Sequence, residues 1–290
     1  MERKKVNFEE IEISYLGWGS EIDNNNSQKV LMLHGMADHS LVWEKLGNFL
    51  SNQNANYQII APDLRGHGNS SKPDAGYYFK DYLQDLENLY QYFNWEKAHI
   101  IAHSWSAKLA CLWATKYPQR CESLILVDPF FINSMPSIFK LTFPILYKVL
   151  PFLKLMQSFP DYQAGETVAK GLKQFQGWTP WQEAIFKYAM EKKTDNSWSS
   201  KFIKPARNEI FEDVMKQKGL TKKLDLPSLL MLPEKGLNRT SWQIKPYQDY
   251  LTNLKITQVS SDHWAFIVQP DNFNQVIFDF LNNISSIPIN

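Results

Sequence analysis

The sequence predicts an α/β fold in which a mostly parallel central sheet is flanked by helices. Five short and nearly continuous apolar runs alternate with longer segments of helical character. Such runs are typical of parallel strands that are buried on both faces, and the long connections suit crossover helices. The predicted strands are Val30–Leu33, Tyr57–Ile60, His99–Ala102, Ser123–Val127 and Leu229–Leu232.

Three helices and one further strand complete this pattern. Lys80–Phe93 and Ser106–Tyr117 are predicted helices, and Pro118 ends the second because proline cannot continue a helix. The last helix is predicted over Asp271–Asn282. A mixed polar and apolar segment at residues 8–15 predicts one half-exposed strand near the N-terminus.

Residues 131–218 break the alternation, because no clear strand pattern occurs in them. This segment is rich in Phe, Trp and Lys, is interrupted by prolines, and is too long and too apolar for a loop. It predicts a helical cap inserted between two parts of a core domain, residues 1–130 and 219–290. The aromatic side chains of the cap would line an apolar pocket above the sheet.

Part of the predicted cap, residues 138–155, mixes apolar residues with spaced lysines. Two prolines interrupt it, so we interpret it as a pair of cap helices packed over the pocket. The alternative is peripheral contact with a membrane surface, as basic amphipathic helices make. A transmembrane segment is not expected, since no run of 18 uncharged apolar residues occurs.

Composition excludes several classes of protein. The 290 residues contain 31 Lys and Arg against 30 Asp and Glu, and this balance predicts no nucleic-acid partner. Two cysteines argue against a disulfide framework and against a cysteine-ligated metal site. No apolar targeting region follows the charged N-terminus, so we expect a cytoplasmic protein.

The sharpest local signal is the pentapeptide at residues 102–106, AHSWS, between a predicted strand and a predicted helix. A serine at such a turn is held in a strained conformation and exposed above the sheet. Close packing of strand and helix there requires small residues, and Ala102 and Ser106 stand where glycines are usual. A plain N-cap role for Ser104 is the structural alternative.

Three other motifs accompany the pentapeptide in a fixed order. His34-Gly35 follows one predicted strand, residues 61–70 (APDLRGHGNS) follow the next, and Ser261–Trp264 (SDHW) precede the last helix. With these four motifs, nearly the whole chain resembles the α/β-hydrolase family, and especially its single-cap esterases, C–C hydrolases and haloalkane dehalogenases. The resemblance implies the α/β-hydrolase fold with an inserted cap and the chain order nucleophile, acid, histidine.

By this resemblance, Ser104 is the expected nucleophile and His263 the general base that activates it. The oxyanion hole would be formed by the backbone N–H groups of Met36 and Trp105, because a tetrahedral intermediate needs preorganised donors.

The other five histidines have weaker claims to a catalytic role. His34 and His67 are expected to shape loops, and His99 to lie in the core or at a sheet edge. His103 is expected to point away from the site, whereas His39 is a candidate for lining the pocket.

The acid departs from the commonest family pattern, in which an aspartate occupies the position of Gly236. The family also uses an acid at the end of the preceding strand, and this implies Asp128. The alternatives are Glu234 and Asp262, and a turn-capping role for Asp128 also stays open. Asp262 is adjacent in sequence to His263, so the two side chains should diverge.

The nucleophile limits the chemistry. A serine that attacked an alkyl carbon would form an ether that water cannot release, so dehalogenase and epoxide-hydrolase activities are not expected. We therefore predict a cofactor-independent serine hydrolase, without a metal, that cleaves an ester, thioester or lactone of a small apolar carboxylic acid. Acyl transfer, C–C cleavage, perhydrolysis and ligand binding with little turnover are the alternatives, because the same fold carries all of them.

Overall fold

The computed structural model describes residues 1–19, 27–53, 56–135 and 150–285. In chain order, the strands are β1 (Glu2–Phe8), β2 (Ile11–Trp18), β3 (Gln28–Leu33), β4 (Tyr57–Pro62), β5 (Ala98–His103), β6 (Cys121–Val127), β7 (Met190–Lys192), β8 (Trp198–Ser200), β9 (Ser228–Lys235) and β10 (Leu254–Asp262). The α-helices are α1 (Glu44–Gln53), α2 (Phe79–Tyr92), α3 (Trp105–Lys116), α4 (Tyr162–Lys170), α5 (Pro180–Ala189), α6 (Lys204–Lys216), α7 (Ser241–Tyr250), α8 (Ala265–Val268) and α9 (Pro270–Ser285).

Eight strands form one sheet in the order β1-β2-β4-β3-β5-β6-β9-β10. β2 pairs antiparallel with β1 and with β4, whereas every pairing from β4 to β10 is parallel. The predicted α/β class is therefore confirmed, and the five predicted apolar runs lie within β3, β4, β5, β6 and β9. The carboxyl ends of the parallel strands meet at one edge of the sheet, where α/β proteins bind ligands.

The core consists of two apolar layers, one on each face of the sheet. Along β6, Leu124 and Leu126 belong to one buried cluster, and Ile125 and Val127 belong to the other. The first cluster includes apolar side chains of α2 and α3, and the second includes those of α1 and α9. Burial on both faces explains why β6 reads as a continuous apolar run without polar alternation.

The predicted N-terminal strand corresponds to β2 from Ile11 onwards, but β1 was not predicted, and residues 2–18 form the hairpin of β1 and β2. The chain turns at Glu9, whose φ is 50°. β1 is an edge strand with several charged side chains, and charges on an edge strand discourage pairing with other chains. The sequence of β1 has few apolar residues, so it lacks the mixed polar and apolar pattern that predicted the N-terminal strand.

Several other elements also lacked a clear sequence pattern. Residues 131–218 form an insertion between the two parts of the core. Within this insertion, β7 and β8 form a two-stranded hairpin. Each of these strands has three residues, which is too short for a visible alternation. β10 is an edge strand with mostly polar exposed positions, and α7 contains an internal proline, Pro246, which argues against a helix at the level of sequence.

Polar contacts join the insertion to the core. Asp213 of α6 accepts a hydrogen bond from the N–H of Phe79 at 2.6 Å, at the start of α2. On the other side, the Tyr188 hydroxyl of α5 donates to Asp63 at 2.5 Å. Residues 136–149, which include most of the predicted segment 138–155, lie outside the described residues. The described remainder contains a 3₁₀ helix, Pro151–Met156.

None of the helices in the described residues combines the length and the apolar character needed to cross a membrane.

A buried lysine of α3 connects both ends of the insertion. Lys108 is fully buried, and its Nζ donates to the carbonyl oxygens of Asn133 at 3.2 Å and Val214 at 2.6 Å. Burial lowers the pKa of Lys108 to about 7 from its usual 10.5. The unfolded chain therefore binds one more proton than the folded chain between these two values.

We predict that Lys108 makes the stability of the protein increase from pH 7 to pH 9. The free energy of unfolding of the wild type should rise relative to that of Lys108→Met by about 1 kcal/mol per pH unit, since one proton contributes at most about 1.4 kcal/mol per unit. Urea unfolding at several pH values measures this difference. The control is Lys80→Met, at an exposed lysine of α2, whose free energy of unfolding should change with pH as that of the wild type does. The prediction would be wrong if the free energy of unfolding of Lys108→Met had the same pH dependence as that of the wild type.

Candidate active site

Ser104 occupies the turn between β5 and α3 with φ 58° and ψ −121°. A positive φ of this kind is strained for a residue with a side chain, typically by about 1–3 kcal/mol. Backbone hydrogen bonds hold it in place: the N–H of Ser104 donates to the carbonyl of Val127 at 3.0 Å, and its own carbonyl accepts from Phe130 at 3.1 Å. The turn is thus fixed by β6 and by the chain that follows it.

The two small residues that flank the turn are fully buried, as close packing of β5 and α3 requires. Ala102 and Ser106 both have no exposed surface. The hydroxyl of Ser106 donates to the carbonyl of Leu33 at 3.0 Å and accepts from the N–H of His103 at 3.1 Å. Ser106 therefore replaces the usual glycine and adds a bond between the turn and the end of β3.

Asp128 and His263 form a direct hydrogen bond. His263 Nδ1 lies 2.6 Å from Asp128 Oδ2, and the carboxylate of Asp128 is completely buried. Leu237 N–H donates to the same carboxylate at 2.9 Å, and the Asn238 side chain donates at 3.0 Å. Burial opposes ionisation, but the hydrogen bonds from these three residues outweigh it and lower the pKa of Asp128. An ionised carboxylate requires His263 to carry its hydrogen on Nδ1, which leaves Nε2 free to accept a proton.

Gly236 packs directly against this carboxylate. A Cβ atom at Gly236 would lie 2.6 Å from Asp128 Oδ2, closer than real Cβ atoms approach such an oxygen. Any side chain at position 236 would therefore collide with the acid at position 128. Aspartates at positions 128 and 236 could therefore not both fit in this chain. The packing of Asp128 requires the glycine that departs from the family pattern.

The other two candidate acids bond elsewhere. Glu234 is exposed, and its carboxylate accepts from the hydroxyl of Ser260 at 3.1 Å. Asp262 accepts from the N–H of Trp264 at 3.0 Å. Of the three carboxylates weighed from the sequence, Asp128 is the one that contacts the His263 ring.

His103 does not point away from the site, so that expectation was wrong. Its ring packs against the His263 ring with centroids 4.4 Å apart, and its Nε2 donates to the His263 carbonyl at 2.9 Å. Burial keeps the pKa of His103 well below its usual value, so the ring is neutral. No sequence pattern indicates this contact, because it joins two residues 160 positions apart.

His34 fixes the turn that carries Met36. Its Nε2 accepts from the N–H of Leu64 at 2.9 Å, so Nδ1 carries the hydrogen and donates to the carbonyl of Gly35 at 2.8 Å. Burial lowers the pKa of His34, which favours this neutral form. His34 is therefore a loop-shaping residue.

The remaining three histidines also bond within the protein. His67 Nδ1 donates to the carbonyl of Arg65 at 3.0 Å, and His39 Nε2 donates to the carbonyl of Ile185 at 3.0 Å. His99 lies in β5 and bonds Ser123 at 2.8 Å. His39 does not line the cavity that contains Ser104; it lines a small separate cavity of about 20 Å³ and ties the core to α5 of the insertion.

A cavity of about 470 Å³ brings the predicted residues together. Ser104 and His263 line it, as do Met36 and Trp105, whose backbone N–H groups follow the ends of β3 and β5. Trp105 is the first residue of α3, so its N–H has no acceptor within the helix. Apolar side chains dominate the remaining wall. The insertion contributes Leu150, Pro151, Phe152, Leu172 and Phe211, and the core contributes Phe130, Leu237 and Trp264.

The expectation that aromatic side chains of residues 131–218 line the pocket agrees with the positions of Phe152 and Phe211 but not with that of Trp178. Trp178 packs against Phe175 and Phe186 within the insertion and is not part of the described cavity wall. Phe143 lies outside the described residues. Among the described residues, no group of three or more His, Cys, Asp or Glu side chains is arranged to hold a metal ion.

Comparisons with known proteins agree with this architecture. The family model of the alpha/beta hydrolase fold matches residues 29–219. Among curated proteins, the chain is 35% identical over 99 residues to 2-(acetamidomethylene)succinate hydrolase of Mesorhizobium japonicum, covering 34% of each chain. It is 32% identical over 146 residues to an uncharacterised protein of Mycobacterium tuberculosis, covering 49% of this chain and 42% of the other. The matches span less than half the length of these relatives.

Solved structures resemble nearly the whole chain. The thioesterase domain from the curacin biosynthetic pathway superimposes with a TM-score of 0.75 at 21% identity, covering 96% of this chain and 99% of that one. The E-2-(acetamidomethylene)succinate hydrolase structure gives a TM-score of 0.77 at 20% identity, covering 97% and 98%. The family model matches more than half of the chain, and the eight-stranded, mostly parallel sheet agrees with it. This chain therefore belongs to the α/β-hydrolase fold family.

Proposed function

We propose that the protein is a cofactor-independent serine hydrolase that cleaves an ester, thioester or lactone of an apolar carboxylic acid through an acyl-enzyme. The observation that carries this proposal is the 2.6 Å hydrogen bond between Asp128 and His263 beside the cavity that Ser104 lines. A serine, a histidine and a buried carboxylate in this relation are the elements of a catalytic triad. The hydrolases among the similar proteins support hydrolysis as the reaction class.

In the proposed mechanism, the Ser104 hydroxyl attacks the substrate carbonyl while His263 Nε2 takes its proton. Asp128 holds the imidazole in the required tautomer and stabilises the cation that forms. The backbone N–H groups of Met36 and Trp105 stabilise the developing oxyanion. His263 then donates the proton to the leaving group, and a water molecule, activated by the same ring, hydrolyses the acyl-enzyme.

The substrate class follows from the cavity and from the nucleophile. The largely apolar wall suits an apolar acyl group, because transferring apolar surface from water to an apolar environment is favourable. Epoxide hydrolases share this fold, but opening an epoxide with a serine would form a stable ether on Ser104. Acyl chemistry therefore fits this chain better than alkyl chemistry.

We predict that a fluorophosphonate probe labels the wild type on Ser104. Labelling should be lost in Ser104→Ala and retained in Ser158→Ala, a control at an exposed serine of the insertion. Gel fluorescence measures the label, and hydrolysis of p-nitrophenyl octanoate is followed in parallel. Persistent label in Ser104→Ala would contradict the assignment of the nucleophile, and a wild type with neither label nor hydrolysis would favour a ligand-binding protein.

The acid assignment predicts that the carboxylate can be moved. Asp128→Ala should lower kcat by about 10³–10⁴-fold, as loss of the acid does in serine proteases. In Asp128→Ala/Gly236→Asp the clash disappears, and the new carboxylate should restore kcat by at least about tenfold over Asp128→Ala, roughly 1.4 kcal/mol of barrier. Stopped-time assays with circular dichroism as a folding control measure this recovery.

Two further variants test whether Glu234 or Asp262, rather than Asp128, is the acid that contacts His263. Glu234→Gln and Asp262→Asn should each change kcat by less than about tenfold. The assignment of Asp128 would be wrong if Glu234→Gln lost activity while Asp128→Ala stayed near the wild type.

The contact between His103 and His263 predicts a positioning role. His103→Phe should lower kcat by about fivefold with little change in KM, because one hydrogen bond contributes about 1 kcal/mol and orients the base. His103→Gln keeps an N–H donor and should recover most of the loss. Steady-state kinetics and thermal melting distinguish this role from a structural one: equal kcat in both variants, or a loss that follows the melting temperature, would argue against it.

A further inference from the structure

Three cationic side chains line the exposed side of the cavity. Lys173 belongs to the insertion, whereas Lys235 and Arg239 belong to the end of β9 and the loop that follows it. All three residues are exposed, so their side chains lie where the cavity meets solvent. The cations thus approach the opening from both the insertion and the core.

These cations have no carboxylate partner among the described residues. The ion pairs of the described ranges use other lysines and arginines. Arg239 Nε donates to the carbonyl of Gly236 at 2.9 Å. This bond anchors the guanidinium group while its two terminal nitrogens remain available for bidentate binding of a carboxylate or phosphate.

The described wall of the cavity contains one carboxyl group, that of Asp38, to balance these charges. The Asp38 side chain is 10% exposed, and its Oδ2 lies 3.6 Å from the buried His103 Nδ1. Burial raises the pKa of Asp38, so its ionised form is disfavoured. The opening of the cavity therefore has an excess of positive charge in a chain whose overall net charge is only +1.

We propose that the substrate of this site carries an anionic leaving group, a carboxylate or a phosphate, that Arg239, Lys235 and Lys173 bind. The inference rests on the proposed hydrolase function and names the substrate class of that site. The apolar acyl group would enter among Phe130, Leu172 and Phe211, and the anion would stay at the exposed side. Hydrolysis adds water across the acyl–oxygen bond and releases a carboxylic acid and an anionic alcohol.

The test uses three octanoate esters that differ in the charge of the leaving group. These are 4-carboxyphenyl, 4-phosphonophenyl and the nearly isosteric neutral 4-carbamoylphenyl octanoate. The wild type should hydrolyse an anionic ester with a kcat/KM at least about tenfold above the neutral one, and high salt should reduce this preference. The carboxyl and phosphono arms tell which anion the site prefers.

Variants locate the source of the preference. Arg239→Gln should lose about tenfold in kcat/KM on the preferred anionic ester and less than about twofold on the neutral ester. Lys235→Gln and Lys173→Gln should have smaller effects of the same kind. Lys222→Gln, at an exposed lysine outside the cavity wall, should match the wild type on all three esters.

The outcomes separate this inference from the proposed function. Equal rates on charged and neutral esters, or variants that slow both kinds equally, would overturn the anionic leaving group while Ser104-dependent hydrolysis of the neutral ester upheld the hydrolase. Loss of Ser104-dependent hydrolysis on every ester would overturn the hydrolase itself. A preference for the anionic ester that disappears in Arg239→Gln and weakens in Lys235→Gln and Lys173→Gln supports the inference.

Discussion

The buried carboxylate of Asp128 is the constraint on which the rest of the site depends. A charge without solvent must be compensated by hydrogen bonds, since an unpaired buried charge is very costly. The His263 ring, the N–H of Leu237 and the side chain of Asn238 supply them, and they come from the segments that follow β10 and β9. One acid at the end of β6 therefore fixes the positions of two neighbouring loops. The same bonds that make the charge tolerable also hold the histidine beside the cavity.

The arrangement of the sheet makes these contacts local in space although they are distant in sequence. Ser104, Asp128 and His263 directly follow β5, β6 and β10, and the parallel pairing from β5 to β10 brings their carboxyl ends to one edge. The strained turn at Ser104 is held by bonds to Val127 and Phe130, which flank the acid. The segment at residues 127–130 thus carries Asp128 and also holds the strained turn at Ser104 in place.

The sequence predicted the central sheet well because its strands are buried on both faces. Continuous apolar runs such as residues 124–127 follow from that burial, and the motifs after them mark the edge of the sheet. Elements at the margins were missed, since β1 and β10 face solvent and carry polar side chains. Within the candidate site, the motif pattern could indicate Asp128, but its contact with Gly236 depends on packing between residues far apart in the chain. No local pattern reports such a contact, and the prediction for His103 was wrong for the same reason.

Moving the acid to β6 changes what the loop after β9 can do. In the commoner family pattern this loop supplies the acid through a side chain, whereas here it supplies the Leu237 N–H and the Asn238 amide to an acid held elsewhere. Because position 236 is a glycine, no Cβ atom there collides with the Asp128 carboxylate. The residues on either side of this contact, Lys235 and Arg239, line the cavity instead. The loop after β9 therefore holds the Asp128 carboxylate through the Leu237 N–H and the Asn238 amide, and the side chains at positions 235 and 239 take no part in that contact.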